Sequence, residues 1–389
     1  MGKLARGFLA ILFIMLVSVV SFLFGSMTAT TGMSNGEQFF TKLKEIRGII
    51  DNRYLYEFEE KDLTEGMYKG YVAALNDPYT QYYTFEEYKA MNEETEGAFG
   101  GVGIEVSAMN GQFIEVVAPI KDTPAERAGV KSGDRIFMIN DKEYSADMMQ
   151  DAVSVMRGEP GTPVKLTILR SVNGKDEQIV FDIVREIINV QSIHSEMLED
   201  DIGYLRITNF QANTATQFME AWEDLIAKGA KGIVLDLRNN PGGLLDVTIK
   251  IGDFLLPEGD VMKYKYADGT MDSYKSDATM NNTPLVTLIN SGSASASEVL
   301  SGALKDYDRS EIVGTTSFGK GVVQQIINLR DGSGVKVTMA EFFTPKDNKI
   351  HGVGISPTKE VELPDTVTTI GPEALDEDLQ LQEAIKILK

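Results

Sequence analysis

Cysteine is absent from this sequence of 389 residues. The absence excludes disulfide bonds, catalytic thiols and metal sites built on cysteine. An exported protein without thiols also avoids disulfide scrambling, so the composition is compatible with a location outside the cytoplasm.

Histidine is almost as scarce, with only His194 and His351 in the chain. The two are far apart in sequence, and no His-Glu-x-x-His motif supplies a compact set of metal ligands. We therefore predict no bound metal and no other cofactor. His194 is expected to be a surface or strand residue, and His351 a loop residue.

Basic residues are outnumbered by acidic ones, 37 against 58, which gives a formal net charge of -21. Proteins that bind the phosphate backbone present basic surfaces, so nucleic acid is excluded as a partner. The hydrophobic fraction of 43% is ordinary for a folded protein. The length allows two or three domains.

An uncharged apolar run from Phe8 to Phe24 follows Lys3 and Arg6. This is the pattern of an export signal or a membrane anchor whose basic end stays in the cytoplasm, although its length is borderline for a span. Met27-Thr28-Ala29 is a poor cleavage site, which favours an uncleaved anchor over a removed signal. A buried core helix is disfavoured because the run has no polar face. We expect residues 1–28 to anchor the chain in the cell membrane, with the rest on the extracytoplasmic side.

The stretch from Leu285 to Gln325 organises the rest of the sequence. An apolar strand, Leu285 to Ile289, is followed by a Ser/Gly-rich turn and a helical pattern to about Tyr307. A serine at such a helix N-terminus lies where backbone N–H groups favour developing negative charge, which suits a nucleophile. A serine nucleophile needs a base, and neither histidine lies in such a turn. Lys320, in a Gly-Lys-Gly loop, is the other candidate if burial lowers its pKa.

Three motifs together resemble the C-terminal processing (tail-specific) peptidases, serine peptidases that use a Ser-Lys dyad. The motifs are Ser-Ala-Ser-Ala-Ser-Glu at 293–298, Phe-Gly-Lys-Gly-Val-Val-Gln at 318–324 and Leu-Asp-Leu-Arg-Asn-Asn-Pro-Gly-Gly-Leu at 235–244. The resemblance implies that Ser295 is the nucleophile, Lys320 the general base and Gln324 a residue that orients the lysine.

The same resemblance indicates an oxyanion hole. The Ala296 N–H, directly after the nucleophile, is one natural donor. The resemblance puts the second donor in the Gly-Gly turn, at Gly243 in preference to Gly242. Taken alone, that turn would be interpreted as a plain strand ending.

Short strands and turns between residues 98 and 187 resemble a PDZ domain, chiefly through Ala-Gly-Val at 128–130 and Gly-Asp-Arg-Ile at 133–136. The resemblance implies that a substrate C-terminus adds a strand to an open sheet edge. Its carboxylate would be held by the loop Val102, Gly103 and Ile104. Arg157 either bridges this domain to the active site or is a solvated turn residue.

Helix and strand patterns alternate after residue 188 and predict βαβ units around a largely parallel sheet, with ligands at the carboxyl ends of its strands. Asp268-Gly269 and Asp331-Gly332 predict two β-hairpins. Thr84 and Glu87 stand in the capping-box positions of a short helix.

The fold class expected is therefore an α/β multidomain chain of five parts. They are an anchor at 1–28, a tether and helical region at 29–97, the mostly β PDZ domain at 98–187, the peptidase domain at 188–363, and a linker with a C-terminal helix at 364–389. Apolar stripes at both ends favour a homodimer.

The function expected is a membrane-anchored serine endopeptidase that cuts protein substrates near exposed C-terminal tails. The main alternative is a membrane-tethered PDZ adaptor that binds protein C-termini without cutting them. Gly314 to Lys320 also has the spacing of a phosphate-binding loop. Gly321 stands where that loop needs Ser or Thr, which disfavours an ATPase.

Overall fold

The computed structural model describes residues 35–108, 112–172, 174–277, 280–364 and 366–389. The chain forms two compact units, one that ends at Tyr68 and one from Lys69 to Lys389. The predicted anchor at 1–28 lies outside the described residues. Within them, no helix combines the length and the apolar character needed to cross a bilayer.

Helices dominate the chain before residue 97: α1 (Asn35–Arg53), α2 (Glu60–Ala73) and α3 (Phe85–Glu96), with the short strand β1 (Gln81–Tyr83) before α3. The predicted capping box of α3 is confirmed. The Glu87 N–H donates to Thr84 Oγ1 and the Thr84 N–H donates to Glu87 Oε2, at 3.3 and 2.9 Å. Helix α1 leaves Phe40 and Ile49 about three-fifths exposed, at 61% and 59%.

A β-rich domain with its own core follows. Its elements are β2 (Ala98–Gly101), β3 (Ile104–Ser107), β4 (Ile114–Pro119), α4 (Pro124–Ala128), β5 (Arg135–Ile139), β6 (Lys142–Glu143), α5 (Met149–Met156), β7 (Pro163–Val172), β8 (Lys175–Val184) and β9 (Glu186–Asn189). The main sheet has the order β3-β4-β5-β7-β8, so β3 is an edge strand. Ile114, Ile136 and Leu166 are fully buried in its core. Strands β2 and β9 pair with each other in a separate antiparallel ribbon through which the chain enters and leaves this domain.

The remaining elements build a second, larger domain. They are β10 (Ile193–Met197), β11 (Ile202–Ile207), α6 (Thr214–Ala227), β12 (Gly232–Asp236), α7 (Leu245–Leu255), β13 (Gly259–Tyr266), β14 (Met271–Ser276), β15 (Leu285–Ile289), α8 (Ala296–Asp306), β16 (Glu311–Gly314), β17 (Val322–Asn328), β18 (Gly334–Phe343), β19 (Lys359–Glu360) and α9 (Leu379–Leu388). Six strands form one sheet in the order β10-β11-β12-β15-β16-β19. All neighbours in it are parallel except β10 and β11.

Both faces of this sheet are covered, which explains why β12 and β15 are mostly apolar and are buried at every position. Helices α6, α7 and α8 contribute Trp222, Ile251 and Leu300 to the core that contains one set of strand side chains. Helix α9 contributes Leu381 and Ala384 to the core that contains the alternate set. The mixed α/β, multidomain class expected from the sequence is confirmed.

An antiparallel sheet of β1, β18, β13 and β14, with β17 also paired to β18, completes this domain. Strands β13 and β14 pair across the Asp268-Gly269 turn, and β17 and β18 pair across Asp331-Gly332. Both predicted hairpins are thus confirmed. Gly269 and Gly332 adopt positive φ, at 87° and 86°, as such turns require.

A buried ionic network ties α9 to the end of β12. The Arg238 guanidinium, with no exposed surface, donates to the carboxylates of Asp236 and Asp378 at 2.6 to 3.1 Å. The Asp378 carboxylate also accepts from the Leu381 N–H, which caps α9, and from the Gly371 N–H. The C-terminal helix is thereby fixed to the strand that leads into the Gly-Gly turn.

Candidate active site

Ser295 stands at the N-terminus of α8, one turn after the buried strand β15. Its backbone has φ 53° and ψ -112°, an unfavourable conformation for a residue with a side chain. Neighbouring contacts enforce it: the Ala294 N–H and the Ser297 hydroxyl both donate to the Asn240 carbonyl, each at 3.0 Å. The serine is therefore held in a strained turn by hydrogen bonds to the adjacent loop.

The Gly-Gly turn lies beside Ser295 because β12 and β15 are parallel neighbours and both turns leave the same edge of the sheet. Asn240, fully buried, accepts the Gly242 N–H at 2.8 Å. Gly242 is close enough that an added Cβ would lie 3.0 Å from the Ala296 nitrogen. Only a residue without a side chain permits this approach.

Two backbone N–H groups at this point have no protein acceptor among the described residues, those of Gly243 and Ala296. The Gly242 N–H, by contrast, is occupied by Asn240. Free N–H groups beside a serine are the donors that a developing oxyanion requires. In this turn, therefore, the N–H of Gly243 is free whereas that of Gly242 is not.

Lys320 lies in the loop between β16 and β17 and lines the same cleft as Ser295. Burial lowers the pKa of its ammonium group, and the positive charge of Lys336 lowers it further. The carboxylates of Glu298 and Asp77 oppose the shift. Lys320 Nζ lies 4.9 Å from the centroid of the Tyr79 ring and has no hydrogen-bond or ion-pair partner in the described part of the chain. A lysine of lowered pKa is suited to accept a proton near neutral pH.

Gln324, on β17, also lines the cleft, but its side-chain amide faces the backbone of another segment. Gln324 Nε2 donates to the Tyr79 carbonyl at 2.6 Å. This bond fixes the amide nitrogen and leaves Oε1 as the atom able to accept a hydrogen bond from a lysine amine.

The cleft that joins these groups has a volume of about 480 Å³. It brings together all five residues that the sequence predicts for catalysis and the oxyanion hole: Ser295, Lys320, Gln324, Gly243 and Ala296. Met91, Glu94 and Thr95 from helix α3 form part of its wall.

Val102, Gly103 and Ile104 lie elsewhere, at a pocket of about 70 Å³ in the β-rich domain. The carbonyls of Val102 and Gly103 accept internal bonds from Ala125 and Ile120. No acceptor for the N–H groups of Val102 and Gly103 is found in the described residues. Arg157 borders this pocket; its guanidinium stacks over Phe99 at 4.4 Å and its Nη1 lies 3.6 Å from Glu93 Oε2 on α3.

Sequence reasoning missed the role of Glu298, which is fully buried at the third position of α8. Its carboxylate accepts the N–H groups of Ser295, Gly319 and Lys320 and the hydroxyl of Ser317, at 2.6 to 2.8 Å. One side chain therefore holds the serine turn and the lysine loop together. Its capping-box position in Ser-x-x-Glu was the available signal, although that pattern predicts only the bond to Ser295.

Tyr79 was also missed, because it lies in Asn76-Asp-Pro-Tyr, a turn-forming segment outside the three catalytic motifs. The ring contacts Lys320 on one side and meets the His351 ring edge to face, with centroids 6.3 Å apart. His351 is thus a neighbour of the lysine loop, and its buried Nδ1 has no partner in the described residues. His194 is an exposed residue of β10.

Chemically, the cleft presents a serine at a helix N-terminus, a partly buried lysine of lowered pKa, and two free N–H groups on the serine's flank. This set can activate a hydroxyl and stabilise a tetrahedral oxyanion, as acyl transfer requires. In the described residues, no group of three or more metal-binding side chains lies together.

Comparisons with known proteins agree with this chemistry. Residues 201–361 match peptidase family S41, residues 115–170 a PDZ domain, and residues 25–87 the N-terminal domain of the activating protease CtpB. The carboxy-terminal processing protease CtpA of Bacillus subtilis is 36% identical over 342 residues, which cover 87% of this chain and 72% of that protein. The carboxy-terminal-processing protease of Bartonella bacilliformis is 40% identical over 343 residues, 86% of this chain and 78% of that protein.

A solved structure from Bacteroides fragilis, whose name places it among the S41 proteases, has a TM-score of 0.53 and 17% identity. The likeness covers 86% of this chain and 92% of that one. At this identity the likeness concerns the fold alone.

Proposed function

The chain belongs to peptidase family S41, among the carboxy-terminal processing proteases, and we propose that it cleaves protein substrates near their C-terminal tails with a Ser295-Lys320 dyad. The observation that carries the proposal is the convergence of these two side chains with the free N–H groups of Gly243 and Ala296 in one cleft. Serine peptidases require this combination of nucleophile, base and oxyanion donors.

In the proposed mechanism, Ser295 Oγ attacks the scissile carbonyl carbon while neutral Lys320 takes the hydroxyl proton. The Gly243 and Ala296 N–H groups stabilise the oxyanion. As the C–N bond breaks, Lys320 passes the proton to the leaving amine, and an acyl-enzyme on Ser295 remains. Lys320 then takes a proton from water, which attacks the ester, and returns that proton to Ser295 Oγ as the new C-terminus is released. Gln324 Oε1 accepts a hydrogen bond from the lysine amine and orients it.

Cleavage of an unfolded protein with a free apolar C-terminus tests the dyad, using the chain from about Ser34. The parent is expected to cleave, whereas Ser295→Ala and Lys320→Ala are not. Ser291→Ala, an exposed serine of the same turn, and Lys250→Ala, an exposed lysine on α7, are the matched controls and retain activity. Cleavage that survives Ser295→Ala would contradict the proposal. Binding of the tail without cleavage by any form would favour the adaptor.

The PDZ domain is proposed to capture the substrate C-terminus. The edge strand β3 is available for pairing, the N–H groups of Val102 and Gly103 are free to hold a carboxylate, and the apolar pocket beside them suits a terminal side chain. Amidation of the substrate C-terminus removes the charge that these groups would bind. Amidated substrate is expected to be cleaved more slowly, and equal rates would count against capture.

The chain is further proposed to be held at the cell membrane by residues 1–28, with the peptidase outside the cytoplasm. The basic residues ahead of the apolar run support this orientation. Full-length protein should sediment with membranes and resist extraction by high salt, whereas the chain from Ser34 should remain in the soluble fraction. A soluble full-length protein would contradict the anchor.

A further inference from the structure

Residues 76–80 form a braced turn next to the lysine loop, although they precede Lys320 by 240 positions or more in sequence. Asp77 Oδ1 accepts the Tyr79 N–H at 3.0 Å, and Oδ2 accepts the Thr80 hydroxyl at 2.6 Å. Thr80 Oγ1 in turn accepts the Thr338 N–H of β18 at 3.0 Å. The turn is therefore fixed both to itself and to the sheet that carries Lys336.

Tyr79 is the residue that this turn presents to the site, and it makes three contacts there. Its ring lies 4.9 Å from Lys320 Nζ, its carbonyl accepts from Gln324 Nε2 at 2.6 Å, and its ring edge meets His351. Tyr79 does not line the substrate cleft itself. It therefore touches the base and its orienting residue without a place in the substrate's path.

A cation over an aromatic face is attracted by the ring quadrupole, and the attraction vanishes when the amine is neutral. The Tyr79 ring thus holds the lysine in one position and stabilises its protonated form. The other groups that face Lys320 act on the same equilibrium: Lys336 on β18 and burial favour the neutral amine, whereas Glu298 on α8 and Asp77 favour the ammonium. His351 contacts the Tyr79 ring rather than the lysine.

We propose that Tyr79 is a positioning residue of this peptidase, which fixes Lys320 and Gln324 and sets the proton affinity of the base through its ring. The inference rests on the proposed role of Lys320. It identifies the turn at 76–80, in the helical region ahead of the PDZ domain, as a structural support for Lys320 and Gln324.

The test compares Tyr79→Phe, which keeps the ring, with Tyr79→Leu, which keeps apolar bulk but removes the ring face. The titration of Lys320 is measured in the full-length protein in detergent by competitive acetylation across pH and peptide mass spectrometry, with exposed Lys250 as the internal reference. Tyr79→Leu is expected to lower the Lys320 midpoint by about half a pH unit, while Tyr79→Phe leaves it unchanged. An unchanged midpoint in Tyr79→Leu overturns the inference, whether or not any protein has been cleaved.

Kinetics supply the second readout. Tyr79→Leu is expected to reduce kcat by about 10- to 100-fold with KM unchanged, and to move the acidic limb of the rate profile to lower pH. Tyr79→Phe should stay within about twofold of the parent. If the parent cleaves and Tyr79→Leu has the same kcat and the same acidic limb of the rate profile, this inference is refuted while the proposed function stands. A parent that cleaves nothing refutes the proposed function, and the acetylation result still decides on Tyr79.

Thermal unfolding of both variants controls for misfolding. If Tyr79→Leu unfolds well below the parent, Tyr79→Met replaces it, since a flexible thioether can fill the space without an aromatic face.

Discussion

At the scale of single residues, the buried carboxylate of Glu298 decides how the serine and lysine face each other. Four donors from two separate loops converge on it, and three of them are backbone N–H groups of Ser295, Gly319 and Lys320. A carboxylate can accept from all of them, whereas an amide offers only one accepting oxygen. The same negative charge raises the proton affinity of Lys320.

Glu298→Gln is therefore expected to lower kcat by about 100-fold, because the loops lose their common acceptor while the cleft stays open to substrate. Since the lost charge had favoured the ammonium, the acidic limb of the rate profile should move to lower pH. Rate profiles of the parent and variant check both effects. Glu223→Gln, an exposed glutamate on α6, is the control, and a Glu298→Gln variant with parental kcat would contradict the interpretation.

The positive charge of Lys336 has the opposite effect to Glu298 on the pKa of Lys320. Lys336 lies over the Tyr83 ring at 5.2 Å, lines the cleft, and its charge lowers the pKa of Lys320. Activity requires neutral Lys320, so it rises with pH through that pKa. Lys336→Met should raise the pKa and move the acidic limb to higher pH, with less effect on the plateau rate. A limb that stays in place, or moves down, would show that Lys336 does not act on the base.

At the scale of elements, buried ion pairs attach the C-terminal helix α9 to the peptidase sheet. Arg238, four positions before Gly242, is paired with Asp378 at the start of α9 and with Asp236 at the end of β12. All three side chains are fully buried, so the loss of one partner leaves a charge without compensation.

Asp378→Asn is accordingly expected to reduce the free energy of unfolding by about 3 kcal/mol. Denaturant titration of the chain from Ser34 measures the loss. Asp200→Asn is the matched control, because the Asp200–Lys389 pair is about half exposed and should contribute less than about 1 kcal/mol. Equal stability of the two variants would contradict a structural role for the buried network.

Sequence reasoning succeeds at this scale where local pattern and topology coincide. The apolar runs of β12 and β15, each ended by a glycine- or serine-rich turn, are sufficient to predict two turns at one sheet edge. Asp-Gly pairs likewise identify their hairpins. Tyr79 could not be predicted, because its contacts to Lys320 and Gln324 depend on how β1 joins β18, which no local pattern encodes. Most of the hydrogen bonds to Glu298 could not be predicted either, since their donors lie in a loop about twenty positions away.

At the scale of the whole molecule, helix α1 carries exposed apolar side chains in the described part of the chain. Phe40, Ile46 and Ile49 are between 48% and 61% exposed. Burial of such a stripe against a second copy would remove it from water, which supports the homodimer expected from the sequence.

Phe40→Glu combined with Ile49→Glu is therefore expected to convert a dimer into a monomer, because charges cannot be buried cheaply in an apolar contact. Light scattering over a range of concentrations measures the mass. Met271→Glu, at a half-exposed position on β14, is the control and should leave the mass unchanged. A parent that is monomeric at every concentration would refute the dimer.

The ribbon of β2 and β9 determines how the PDZ domain is attached. Because the two strands are paired, the points at which the chain leaves and rejoins the rest of the molecule are only about 5 Å apart. The domain is therefore a modular insertion: its ends already meet, so the flanking parts do not depend on it to span a gap. Exchange for another domain with adjacent termini is a natural route to new substrate tails, both in evolution and in engineered chimeras, with the cleft left intact.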